Sequence, residues 1–153
     1  MTKEPILNDH NKEEYPPMHT AEHLLNATMV KKFGCSRSRN AHIERKKSKC
    51  DYELPLAPTE EQIKEIEQEV NQAIQQNLPV TACFMTQEEA KGLVDLSKLP
   101  EDATQTLRIV QIGDYDVCAC IGSHVENTSE IGRFMISSHS YTDGKLRLRF
   151  KLK

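Results

Sequence analysis

The sequence predicts an α+β fold: one domain in which helices pack on an antiparallel or mixed β-sheet. Three observations carry this. Ile63, Ile66, Val70 and Ile74 recur at helical spacing, giving one apolar stripe. Leu146, Leu148, Phe150 and Leu152 alternate strictly with basic residues, the pattern of a half-buried strand. Helical patterns come mainly first and strand patterns last, an order that favours α+β over a repeating β-α-β plan.

Each element can be placed in turn. Residues 1–17 are polar, include Pro5, Pro16 and Pro17, and read as an irregular lead-in; the domain itself is expected over residues 18–153. Met18 to Phe33 favours a helix, with Pro17 suited to the first turn and Gly34 to the stop. Residues 35–54 read as a loop or hairpin in which "AHIE" and "CDYEL" are strands. A second helix opens at Thr59, where Gln62 completes a capping box, and "NLP" ends it. "VTACFM" is a strand, and Thr86 with Glu89 opens a short helix running to about Leu93. "TLRIVQI", "YDVCACI", "RFMISS" and "KLRLRFKLK" supply four further strands.

Composition excludes several classes. At 153 residues the chain can bury a substantial core without covalent staples. Hydrophobic content of 37% and charged content of 28% exclude a disordered chain. The five cysteines are odd in number and follow no disulfide-framework spacing, and no run approaches the roughly 18 apolar residues of a membrane span. The expectation is a cytoplasmic protein without membrane contact. The net charge of -3 conceals an uneven distribution. Residues 31–49 hold eight Lys or Arg against Glu44 alone, and residues 145–153 hold five basic residues and no acid. Such segments either bind a polyanion or form solvated faces.

"MHTAEHLLNATM" places His19 and His23 four apart, where a helix would bring both to one side. Alone the pair reads more readily as two satisfied or exposed histidines than as a metal site. It is not the HExxH of zinc proteases, because Glu22 precedes the second histidine instead of following the first. "CIGSH" offers a second half-site, Cys120 and His124. One thiolate with three imidazoles suits tetrahedral zinc, whereas a buried cysteine beside an incidental histidine is the competing reading. Cys118 and Cys120 share a strand face, so spacing leaves either sulfur available.

"HTAEHLL", "EIEQEVNQAIQQNLPV", "MTQEEAKGL" and "RIVQIGDYDVCACIGSHVENTSEIGRFMI" occur in that order. Together they resemble the editing domains of alanyl-tRNA synthetases and the freestanding AlaX-type proteins. The likeness extends to the second additional domain shared with threonyl-tRNA synthetases and covers roughly residues 18–150. It implies a single editing-type domain built around Zn2+, with His19, His23, Cys120 and His124 as ligands; the thiol four before the last histidine is Cys120. The implied activity is hydrolysis of mischarged tRNA in trans, with seryl- or glycyl-tRNA of the alanine type as substrate.

On the same resemblance Thr20, Asn127, Thr128 and Glu130 become candidate catalytic-pocket contacts. Competing readings are a helix-terminal hydroxyl for Thr20 and a turn for "NTSEIG". Lys31, Lys32, Arg37, Arg39, Arg45, Lys46 and Lys47 become candidate tRNA contacts. The family's thiol loop reads CGGTH, and this chain has Ile121 and Ser123 in place of a glycine and the threonine, so a different loop and pocket wall are expected. Three rival functions fit the same residues: editing of seryl-tRNA of the threonine type, a non-enzymatic zinc-stabilised RNA-binding module, and a hydrolase of small aminoacyl esters.

Overall fold

A helix buried on almost every side forms the centre of the molecule, as seen in a computed structural model that describes residues 15–90, 106–120 and 122–153. This helix, α1, spans Pro16–Phe33 and starts two residues earlier than the sequence suggests, because Pro16 and Pro17 occupy the first positions, where no N–H is needed. Gly34 ends it in the left-handed conformation (φ 69°), its N–H bonding Val30 O at 2.9 Å. Met18, Ala21, Leu24, Leu25 and Met29 are fully buried, and Thr20, His23, Asn26 and Thr28 are nearly so. A helix this enclosed has no clean amphipathic stripe to read.

One side of α1 meets a four-stranded antiparallel sheet of order β1-β2-β7-β6. The strands are β1 (Asn40–Ile43), β2 (Ser48–Glu53), β6 (Phe134–Thr142) and β7 (Lys145–Leu152). In β2, Ser48, Cys50 and Tyr52 point inward and pair with Phe150, Leu148 and Leu146 of β7, which are buried as the alternation predicts; Leu152 is half-buried. Full burial of each large side chain contributes about 1.5–3 kcal/mol. Asp143 and Gly144, both at positive φ (52° and 77°), make a two-residue turn between β6 and β7.

The second long helix, α2 (Glu60–Gln75), begins with the expected capping box: Gln62 N–H donates to Thr59 Oγ1 at 3.1 Å and Thr59 N–H donates to Gln62 Oε1 at 2.9 Å. Ile63, Ile66, Val70 and Ile74 are buried. Its polar residues protect edge strand β6. Asn71 donates to Phe134 O (2.9 Å) and accepts from Phe134 N–H (2.8 Å), while Glu67 accepts from Ile136 N–H (2.8 Å). Those backbone groups would otherwise form an open edge.

A separate antiparallel sheet of order β3-β4-β5 contains β3 (Val80–Thr86), β4 (Thr106–Ile112) and β5 (Asp116–Ala119). The described strand pairs are all antiparallel. The short helix α3 (Gln87–Ala90) opens with the Thr86–Glu89 capping box; its expected extension to Leu93 lies outside the described residues. One main core joins α1, α2 and the four-stranded sheet, and a small cluster of Ala90, Leu107 and Ile109 lies under the other sheet. Among the described residues no helix is long and apolar enough to cross a membrane. The architecture is α+β, as the sequence predicts.

Candidate metal centre

Helix α1 delivers His19 and His23 one turn apart, and the chain leaving β5 delivers Cys120 and His124 opposite them. One ligand atom from each of the four lies within 4.8 Å of the others. Two anchors on β4 hold the thiol: Cys120 N–H donates to Arg108 O at 2.9 Å, and the Arg108 guanidinium donates to the carbonyls of Cys120 (3.3 Å) and Gly122. The sequence reading does not single out Arg108; its signal was only a cation within an otherwise apolar strand. Ile121 lies outside the described residues, and the altered Ser123 contributes its backbone carbonyl.

Each imidazole has its Nδ1 facing a protein group. His19 Nδ1 lies 3.3 Å from Ser123 O, leaving Nε2 at 3.4 Å from Cys120 Sγ. His23 Nδ1 lies 3.1 Å from Cys118 Sγ and 3.4 Å from Asp116 Oδ2. His124 Nδ1 lies 3.0 Å from Thr20 Oγ1. The Thr20 hydroxyl has one proton, which it donates to Pro16 O at 2.9 Å, so at its contact with His124 it accepts. It also accepts Val125 N–H at 3.2 Å. His124 therefore carries its proton on Nδ1. Its Nε2 is buried and makes no hydrogen bond among the described residues. A buried nitrogen lone pair beside one sulfur and two further imidazoles fits a zinc ion of mixed sulfur and nitrogen coordination.

Electrostatics agree with this chemistry. Burial raises the Cys120 thiol, but the imidazoles of His124, His19 and His23 outweigh it and bring it down to about 2, so the sulfur is a thiolate. Burial and the neighbouring His23 and His19 lower His124 to about 4, against the pull of Cys120. Burial lowers His23, yet Cys118 and Asp116 more than compensate and hold it well above its ordinary value. His19 is likewise raised, Cys120 overcoming burial. Glu22, set aside from spacing alone, brings Oε1 to 3.5 Å from His19 Nε2 with its side chain 14% exposed.

The other candidates are placed as follows. Thr20 joins the ligand helix to the His124 loop. Asn127 and Glu130 form a capping box around the 3-10 turn Thr128–Glu130. Asn127 Nδ2 donates to Asn77 O (3.1 Å) and Glu130 Oε2 accepts Asn127 N–H (3.0 Å). Thr128, fully buried, donates to Ile74 O (3.0 Å) and accepts from Leu78 N–H (2.9 Å), which ties the turn to the end of α2. These residues thus hold the loop beyond His124. Of the cations, Lys32 binds Glu65 and Glu69 at 2.8 and 2.9 Å, and Arg37 binds Asp116. Lys31 covers the Tyr115 ring, Arg45 lies over Tyr15, and Arg39, Lys46 and Lys47 are exposed.

Residues 107–148 match the family described as the threonyl and alanyl tRNA synthetase second additional domain. The chain is thus similar to that second additional domain over these residues and, over nearly its whole length, to part of the alanine–tRNA ligases. It is 34% identical to the alanine–tRNA ligase of Treponema denticola over 96% of this chain and 25% of that protein. It is 34% identical to that of Petrotoga mobilis over 84% of this chain and 15% of that protein, and 37% identical to that of Streptococcus mutans over 77% and 14%. The chain thus spans at most about a quarter of the length of these relatives.

Proposed function

We propose that this chain is a zinc-dependent hydrolase of mischarged tRNA that acts in trans in the cytoplasm, with seryl- or glycyl-tRNA of the alanine type as substrate. One observation carries the reading: two histidines of α1 and the Cys120–His124 pair converge on one cluster in a chain related to alanine–tRNA ligases. The biological need is physical. A pocket for alanine rejects close analogues by only about 1–3 kcal/mol, so a second hydrolytic site raises fidelity.

In this reading His19, His23, Cys120 and His124 hold the ion. A zinc ion held there would supply charge to polarise the aminoacyl ester and to activate water. Ser123 O, Asp116 and Thr20 keep the three imidazoles turned toward the cluster. Glu22, the half-buried carboxylate beside His19, takes the proton of the attacking water. Asn127, Thr128 and Glu130 contribute by shaping the loop that carries His124. Of the seven candidate cations, Lys31, Arg39, Arg45, Lys46 and Lys47 remain for phosphates, because Lys32 and Arg37 are neutralised within the protein.

The test is release of serine from seryl-tRNA of the alanine type by wild type and His23→Ala, with zinc measured on the same samples. Turnover and bound zinc in the wild type, both lost in the variant, support the reading. A second reading, a structural zinc RNA-binding module, draws on the four-donor set, since catalytic zinc usually keeps an open position. Bound zinc with no turnover on any charged tRNA would select it. Faster release from seryl-tRNA of the threonine type would reassign the substrate.

A further inference from the structure

Outside the four ligands, the notable buried charge lies at Asp116, the first residue of β5. Its side chain is 5% exposed, and its Oδ2 is 3.4 Å from Nδ1 of His23, itself 4% exposed, so water does not compete for this contact. Arg37 grips the same carboxylate with two bonds, Nη1 to Oδ1 at 2.6 Å and Nη2 to Oδ2 at 3.1 Å. Such a fork keeps a carboxylate ionised and fixes its plane. Cys118 is the third neighbour, with Sγ 3.1 Å from the same His23 nitrogen.

These groups pose a choice of tautomer. A neutral imidazole has one proton, and the nitrogen without it offers the lone pair. Were Cys118 S–H to donate to Nδ1, the proton would sit on Nε2 and His23 could not ligate through it. If Nδ1–H donates to Asp116, the Nε2 lone pair is free. A thiol is a weak donor, whereas a hydrogen bond to a carboxylate is about twice as strong as a neutral one. The carboxylate decides.

We propose that Asp116, clamped by Arg37, is the positioning residue that fixes His23 in the Nδ1–H tautomer and so presents Nε2 to the metal ion. This rests on the zinc reading above and adds a partner that the sequence does not reveal. Nδ1 of His19 faces the Ser123 carbonyl and Nδ1 of His124 faces the Thr20 hydroxyl, whereas Nδ1 of His23 faces a carboxylate. A carboxylate in that place also makes the imidazole a stronger ligand. His23, Asp116 and Cys118 do not form a second cation site, although their ligand atoms lie within 4.8 Å of one another, because the Arg37 guanidinium already supplies the positive charge that balances the carboxylate.

The experiment is zinc affinity by chelator competition for wild type, Asp116→Asn and Cys118→Ala, with the spectrum of each cobalt-loaded protein. In Asp116→Asn the amide oxygen stays with Arg37 and the amide nitrogen turns a donor toward Nδ1, favouring the wrong tautomer. Affinity is expected to fall about 10–100-fold while the thiolate-to-cobalt band of Cys120 persists. Cys118→Ala is expected to keep wild-type affinity. Nitrogen NMR of zinc-loaded wild type, which needs no variant to fold, is expected to show His23 protonated at Nδ1 and metal-bound at Nε2. Unchanged affinity in folded Asp116→Asn, ligation through Nδ1, or two zinc ions per chain each overturn the proposal. A wild type that binds zinc and deacylates while Asp116→Asn binds equally well sinks this inference alone. A wild type that binds no zinc sinks the metal reading together with it.

Discussion

Thr20 shows how much one hydroxyl can organise. It donates to Pro16 O and accepts from both His124 and Val125, which joins α1 to the loop bearing the last ligand. Thr20→Val keeps the shape and removes all three bonds. Two buried donors then lack an acceptor, so stability should fall by about 1–3 kcal/mol per lost partner. Zinc affinity should fall about tenfold or more as His124 loses its orientation. Denaturant unfolding of the metal-free protein and chelator competition check the two effects, and Thr20→Ser should rescue both. At the same scale, Glu22→Gln keeps size and hydrogen bonding but cannot take a proton. It is expected to retain zinc and lower kcat by about 10²–10⁴-fold with little change in KM; an unchanged kcat would remove Glu22 from the mechanism.

Strand pairing makes a different kind of prediction. Asp51 on β2 stands directly across from Arg147 on β7, with bonds of 2.8 and 3.0 Å between them. The Arg147 bond, working against burial, holds the Asp51 carboxyl below its ordinary 3.8. A group whose folded pKa is depressed stabilises fully above the unfolded value and loses that stabilisation as pH falls through the folded one. Asp51→Asn should therefore be less stable than wild type at neutral pH, and the difference should shrink below pH 3.8. Denaturant unfolding across that range measures it, and a difference that persists undiminished in acid would show that the pair's charge is not the cause.

On the whole molecule, β2 and β7 bring the two basic segments side by side. Lys49 is the cross-strand partner of Arg149, on the sheet face opposite the core, and Lys46 and Lys47 extend the charge into the β1–β2 turn. A single basic face can follow a phosphate backbone where two remote segments could not. Reversing Arg45, Lys46 and Lys47 to glutamate should weaken deacylation of charged tRNA and flatten its salt dependence, leaving zinc content and hydrolysis of a small aminoacyl ester intact. Equal activity on charged tRNA would return the surface to a solvated face.

Much of this was legible in the sequence because it is local. Capping boxes at Thr59 and Thr86, the stripe of α2 and the alternation of β7 are set by neighbours a few residues apart, where period and side-chain chemistry decide the outcome. The His19–His23 and Cys120–His124 spacings are local in the same way, and their resemblance to the editing family joined them into one ligand set. Less visible were the first two residues of α1, where Pro16 and Pro17 occupy positions that need no N–H, and the length of β6, whose polar residues suit an edge strand held by Asn71 and Glu67. The structural bonds of Asn127, Thr128 and Glu130, and the internal ion pairs of Lys32 and Arg37, depend on partners tens of residues away. So the sequence by itself determined the element types and the fold class, which are written in short-range spacing, and it offered the four-donor set only through the family resemblance. Only the tertiary structure decided which groups face the nitrogens of His23 and His124, which cations are paired inside the protein, and that Asp116 lies behind His23, because those depend on which distant side chains the packing brings within hydrogen-bond reach.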